Sequence, residues 1–214
     1  MFRPFRLIML ALLALGVYAG FFQVPSGKPG VAEFDPVVVA KREVEAWQAA
    51  RAHEEVGAFV AHVLQARELH RYSWFRAVQV GLDMARTTTR FVDLRARYER
   101  VLPNLEAVAE VEKGWKKLDY KSADVARMQL NWMVTARLPD LNDTNEIASQ
   151  MAEEYGMRYG MRSDQMFTPA ASRAQAFKLM ITSTTDPDWP GITELLIESY
   201  ASLQKTLQGS RVGL

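Results

Sequence analysis

Hydrophobic and polar positions divide the chain into one unbroken apolar run near its start and a long succession of helix-period patterns after it. From Leu7 to Val24 there is no charge, and Gln23 is the only strongly polar residue. A helix of that length rises ~27 Å, close to the hydrocarbon thickness of a bilayer. Leu7, Leu12, Leu15, Val17, Phe21 and Phe22 make it apolar all round, unlike the one-sided stripe of a globular surface helix. The run therefore predicts an N-terminal transmembrane anchor over residues 1–24. The competing expectation is a cleaved signal peptide. Leu7–Gly16 has the right length for its apolar core, and Val17-Tyr18-Ala19 before Gly20 is an acceptable cleavage signature. The continuation of the run through Phe21, Phe22 and Val24 to Pro25 favours the anchor, and either device exports the rest of the chain.

Pro25 to Phe34, closed by Asp35, is a Pro/Gly linker too broken for a helix. Helix signals then succeed one another with almost no strand signal. Asp35-Pro36 pairs an N-cap with proline at the first helical position. It opens a helix predicted to reach about Tyr72, with one weak point at Gly57. Ser73 caps a helix from Trp74 toward Val101, bent at the β-branched Thr87-Thr88-Thr89. Pro103 restarts a helix that ends near Lys117, and Ser122 caps another to about Arg137, stopped by Leu138-Pro139. Asp143-Thr144-Asn145-Glu146 has the spacing of a capping box, for a helix to Gly156 or Tyr159. Thr168-Pro169 repeats the cap-then-proline signal and begins a helix to about Ser183. Asp188 caps the last helix, whose Ile192, Leu195, Leu196, Ser199, Tyr200 and Leu203 share one apolar face. The predicted fold class is all-α: a transmembrane helix, then an array of about seven helices over residues 36–208, with a tail at 209–214.

An internal echo adds to that picture. Shifted by 86 residues, Val39-Ala40-Lys41-Arg42-Glu43-Val44-Glu45-Ala46-Trp47 lies over Val125-Ala126-Arg127-Met128-Gln129-Leu130-Asn131-Trp132-Met133. The register continues to Ala50-Arg51 over Ala136-Arg137. Helical spacing places Ala40, Val44, Trp47 and Arg51 on one stripe. The reading is a duplicated helical unit, with halves at about 36–117 and 122–208.

The string Asp35-Pro36-x-x-Val39-Ala40-x-x-Glu43-Val44-x-x-Trp47, with Asp188-Trp189 and Leu195-Leu196-x-x-Ser199-Tyr200, resembles an uncharacterised group of bacterial single-pass membrane-anchored helical proteins. The likeness spans most of the chain after the linker. Its motifs are caps and core patterns, so it implies an architecture and no activity.

Composition narrows the classes. Apolar residues make up 49% of the 214 and charged residues 24%, an ordinary globular balance. Net charge is +1, and Arg3 and Arg6 lie ahead of the apolar run, so the remainder is close to neutral. That lacks the basic face through which nucleic-acid binders neutralise phosphate. The same two arginines set the anchor's orientation, with the N-terminus in the cytoplasm and the helical domain on the periplasmic side of a bacterial inner membrane. The chain has no cysteine, which excludes disulfides, thiolate metal sites, covalent haem and a cysteine nucleophile.

Candidate chemistry is sparse. Glu43 and Arg51 flank Trp47 on one stripe, and Gln129 and Arg137 flank Met133, beside Trp132, in the second copy. These six residues, Glu43, Trp47, Arg51, Gln129, Trp132 and Arg137, form either a polar site in a cleft or a structural brace. The brace has Arg lying over Trp, with Glu completing its hydrogen bonds. Repetition favours the brace, since packing recurs more readily than a unique site. His53-Glu54-Glu55 lacks a second histidine four residues on, and His62 and His70 stand ~12 Å apart along a helix, so no metal is expected.

Glu198-Ser199-Tyr200 is similar to the Glu-Ser pair of lytic transglycosylases, in which a buried glutamate is the general acid. The Gly-rich groove sequence of such enzymes is missing after Tyr200. No nucleophile elbow, phosphate loop or dinucleotide loop occurs. Trp74, Trp115 and Trp189 fall near predicted helix ends; they read as hinges at helix junctions, with substrate stacking as the alternative. Met151, Met157, Met161 and Met166 make either an adaptable contact surface or a plain loop.

The expectation is therefore a non-enzymatic accessory or scaffold protein with no catalytic residue and no cofactor. It touches membrane lipid through its N-terminal helix and docks onto protein partners in a membrane or periplasmic complex. The alternatives are a small-ligand or lipid-binding module with an apolar pocket near Trp47 and Trp132, and, less favoured, a cell-wall lytic enzyme.

Overall fold

The computed structural model describes residues 15–18, 20–23, 33–93, 97–138, 143–183 and 186–210. Among these the chain is all-α, with no strand. The helices are α1 (Pro36–Arg51), α2 (Glu55–His70), α3 (Trp74–Asp93), α4 (Leu102–Lys116), α5 (Ser122–Thr135), α6 (Asn145–Tyr159), α7 (Ser163–Thr182) and α8 (Trp189–Gly209). A short 3-10 turn, Tyr98–Val101, leads into α4. No described helix is long and apolar enough to cross a membrane. The anchor predicted over Leu7–Val24 lies largely outside the described residues, Leu7, Leu12 and Val24 included, as do 25–32 of the linker and 211–214 of the tail. Leu15, Val17, Phe21 and Phe22 are described; they are helical and exposed.

Local chemistry explains most boundaries. The Asp35 carboxylate accepts from the Val37 and Val38 N–H groups, at 2.8 and 3.3 Å, with Pro36 opening α1. The helix predicted to run on to Tyr72 is in fact two. The break falls at Ala52-His53-Glu54, where His53 takes a left-handed conformation (φ 59°). Gly57 instead sits inside α2, where an added Cβ would lie 3.2 Å from Ala49 Cβ; it permits α1 and α2 to approach. Ser73 Oγ accepts from the Arg76 N–H at 3.4 Å and starts α3. That helix stops at Asp93, short of the predicted Val101.

Ser122 is the first residue of α5 rather than its cap, because its hydroxyl is engaged by Glu110. The capping box at α6 does not close. Asp143 accepts from the Asn145 N–H at 2.9 Å, and Glu146 pairs with Gln150. α7 begins at Ser163, before Thr168-Pro169, and carries Pro169 inside it. Asp188 caps α8 through the Gly191 N–H, as predicted.

Each helix packs on the next, and α8 returns onto α1, closing the array. The four helices α1–α4 correspond to α5–α8 in order and in the positions they bury. In α3 the buried residues are Ala77, Val80, Gly81, Ala85, Thr87, Thr88 and Phe91. Those of α7 are Met166, Pro169, Ala170, Ala174, Ala176, Phe177 and Met180, matching member for member at one constant spacing. Val39, Ala40, Val44, Ala46 and Trp47 of α1 match Val125, Ala126, Leu130, Trp132 and Met133 of α5. Leu105, Ala109 and Glu112 of α4 match Ile192, Leu196 and Ser199 of α8. The main core draws on both sets, and a second cluster (Val63, Ala66, Tyr72, Ala77, Val80, Val108) lies under α2–α4.

Candidate functional site

Trp47 is buried against Phe91 and Phe177, with ring centroids 6.5 and 5.3 Å away, and Trp132 packs on Phe177 at 4.9 Å. The space between the two tryptophans is therefore filled by aromatic rings. The partners expected within each stripe go elsewhere: Glu43 pairs with Arg173 and Gln129 with Arg158. Arg51 instead donates to the Met180 and Ser183 carbonyls at the end of α7, at 3.1 and 3.3 Å. Arg137 donates to the Phe91 carbonyl at the end of α3, at 2.7 Å, and stacks over the Phe91 ring at 4.6 Å. Each half thus sends one arginine to the C-terminus of the third helix of the other half. Cations are favoured there by the helix dipole and the orphan carbonyls. The expected brace of Arg over Trp, completed by Glu within one stripe, is not what forms; Arg51 and Arg137 instead tie one half to the other.

Glu43 faces a different partner. Arg173 of α7 donates to its Oε1 at 2.6 Å and to the Tyr200 hydroxyl at 2.7 Å. The Tyr200 hydroxyl in turn donates to Glu43 Oε2 at 2.5 Å, and Gln65 donates to both, at 3.3 and 3.2 Å. Burial opposes the charge on Arg173, but Glu43 outweighs it and holds the guanidinium charged. Sequence reasoning placed Glu43 on the inner stripe yet missed Arg173. That residue lies between the buried Ala170 and Ala174 of α7, and a charge on an apolar stripe is the signal that marks it.

A second network lies on α4, α5 and α6. Arg158 donates to Glu154, Glu112 and, at 3.0 Å, to Gln129, and Lys116 donates to Glu112 at 2.5 Å. Burial alone would raise the Glu112 carboxyl; Arg158 and Lys116 outweigh it and hold the group well below the usual carboxylate range. Burial also lowers the imidazoles of His70, to about 3, and His62, to about 4. Two carboxylates face two cations here, and Glu43 faces Arg173, so the interior charges cancel. Apart from Gln129 this set escaped the sequence reading, although Glu112–Lys116 and Glu154–Arg158 both have the four-residue spacing of neighbours on a helix.

Between the networks lies a cavity of about 100 Å³, lined among others by His62, Gln65, Glu112, Trp132, Arg158 and Arg173. The Trp132 Nε1 is buried without a hydrogen-bond partner. A volume of this order holds a few water molecules, whereas pockets for drug-sized ligands run to ~300–1,000 Å³.

Other candidates fall elsewhere. His53 is exposed, 3.8 Å from Asp93, and no group of three or more His, Asp or Glu among the described residues could hold a metal ion. Glu198 sits on the exposed side of α8 and does not line that cavity, while Ser199 is buried and donates to the Pro169 carbonyl. The four methionines form neither a contact surface nor a plain loop: Met151 and Met166 are core residues of α6 and α7, and Met157 and Met161 are partly buried against core clusters. Trp115 and Trp189 act as junction anchors, donating to the His70 carbonyl and Asp186.

The outer surface of α2 and α3 carries uncovered apolar groups. Val56 is 76% exposed, and Val60, Leu82, Trp74 and Phe75 are exposed as well. No protein-family model matches the chain, and no curated protein or solved structure matches it.

Proposed function

We propose that the protein is a membrane-anchored helical accessory or scaffold protein, tethered by its N-terminal apolar run and docking onto a larger membrane or periplasmic complex. One contrast carries the reading. Its interior charges are consumed in neutral, closed networks around a cavity too small for a lipid, while Val56, Val60 and Leu82 stand exposed on α2 and α3. Uncovered apolar surface of this kind marks a place where another molecule sits. The duplicated four-helix unit supplies a rigid frame for it, cross-braced by Arg51 and Arg137. Extraction from native membranes in mild detergent, followed by size analysis and mass spectrometry, tests the proposal. Co-elution with a defined set of partners is the expected outcome, and a solitary monomer at native expression contradicts it.

A further inference from the structure

The corner where α2 hands over to α3 has a composition unlike the rest of the surface. Trp74 and Phe75 are 37% and 40% exposed side by side. The Arg67 guanidinium lies 4.2 Å from the Trp74 ring centroid, and that of Arg76 4.5 Å from Trp115. Arg71, between them in sequence, takes a left-handed conformation and donates to the Glu33 carbonyl at 2.8 Å. From Arg67 to Leu82 the chain has three arginines and one acidic residue, Glu68, which accepts from the Asp35 N–H at 3.0 Å. The end of the apolar N-terminal run already rests on this corner. Phe22 stacks on Phe75 at 5.2 Å, Phe21 meets it edge-on at 5.9 Å, and Tyr18 packs on Phe22 at 4.5 Å.

We propose that this corner, Trp74 and Phe75 with Arg67, Arg71 and Arg76, is seated in the headgroup layer of an anionic lipid bilayer and fixes how the helical domain lies on the membrane. The inference rests on the tether reading above and adds the surface that faces lipid. Aromatic side chains favour the interface because their rings are apolar while the indole N–H stays hydrated. Arginines among them are drawn to anionic headgroups, and their stems cover apolar surface. Depth is set by continuity. Phe21 and Phe22 stand near the end of the segment that enters hydrocarbon, so the Phe75 ring packed on them shares their level. A protein partner at this corner would find few carboxylates among the arginines to discriminate by, whereas a lipid surface needs only the positive charge and the rings.

Since the chain has no cysteine, single-cysteine variants report one site each. Gln79→Cys lies on the exposed side of α3, one turn beyond Phe75; Arg90→Cys lies near the other end of α3, and Glu198→Cys on the exposed side of α8. Each full-length variant carries an environment-sensitive fluorophore and is reconstituted into phosphatidylcholine–phosphatidylglycerol vesicles containing a lipid with a shallow nitroxide quencher. Flotation of the vesicles tests the tether separately. With the protein floated, quenching at Gln79 is expected to exceed that at Arg90 and Glu198 at least three-fold. Replacing Trp74 and Phe75 together by alanine is expected to abolish the difference. Equal quenching at all three sites in floated vesicles overturns the proposal and leaves the tether standing, and protein that fails to float overturns both. A Gln79 label shielded in native membranes but not in protein-free vesicles assigns the corner to a protein partner and overturns the lipid assignment.

Discussion

At the scale of single residues the interior is governed by pairs in which neither member stands alone. Glu43 is 3% exposed and is paired with Arg173. Arg173→Ala leaves a buried carboxylate with Tyr200 and Gln65 as its remaining partners. The expected loss is ~3–5 kcal/mol in urea unfolding, because an uncompensated buried charge costs more than the pair contributes. The double variant Glu43→Gln/Arg173→Met is expected to lose less than the two single losses added, and simple additivity would contradict the pairing.

Two histidines, the buried His62 and the half-buried His70, make a second prediction. Burial lowers them from 6.5 to about 4 (His62) and about 3 (His70). Between pH 6.5 and those values the unfolded chain binds protons that the folded chain refuses, so stability must fall as pH falls through that window. Glu112 acts in the same direction lower down. Its carboxyl is held below the ordinary 4.5, so its contribution is present above that value and drains away beneath it. Unfolding free energy at pH 5 is expected ~2–4 kcal/mol below that at pH 7.5. His62→Gln, which keeps partners for Gln65 and Thr88, removes about half of the difference; a flat profile over that range would contradict the buried neutral imidazoles.

The stripe holding Glu43, Trp47 and Arg51 was legible from helical spacing alone. Their partners were not. Arg173 and Met180 lie far along the chain, on α7, and spacing within one helix carries no information about which distant helix faces it.

At the scale of elements, the caps and prolines that act locally were readable. Asp35, Ser73, Pro103 and Asp188 each start a helix where expected. The errors came where tertiary contact overrode local preference. Gly57 looked like a weak point and is a close approach. His53 looked helical but takes the left-handed conformation that separates α1 from α2, and Pro169 looked like a start but is embedded in α7. Glycine therefore has to be judged by its surroundings, and two positions give opposite expectations. A Cβ on Gly81 would lie 2.4 Å from Val63 Cγ2 and 2.8 Å from its backbone nitrogen, so α2 and α3 would have to part. Gly81→Ala is expected to lower stability by ~1–3 kcal/mol through overpacking. Gly114 is in α4 with nothing within 4 Å of the added atom, and Gly114→Ala is expected to raise stability by ~0.5–1 kcal/mol. Thermal midpoints of the two variants, moving in opposite directions, check both; a shared direction would contradict the helix contacts described.

At the scale of the whole molecule, a nine-residue echo pointed to two equivalent halves, and the burial patterns of α1–α4 and α5–α8 run parallel helix by helix. Most of that correspondence was invisible in the sequence because it resides in which positions are buried, while the residues filling them differ: Thr88 stands where Phe177 does, and Glu112 where Ser199 does. Arg51 and Arg137 cross between the halves and make them one array rather than two modules side by side. In the proposed function, the use of that array depends on the segment ahead of it. Membrane fractionation of the native-level, full-length protein with an alkaline carbonate wash tests this most directly. The account predicts that the chain stays with the lipid pellet and that removal of residues 1–24 releases it. Recovery of the protein in the soluble fraction with those residues still attached would contradict it.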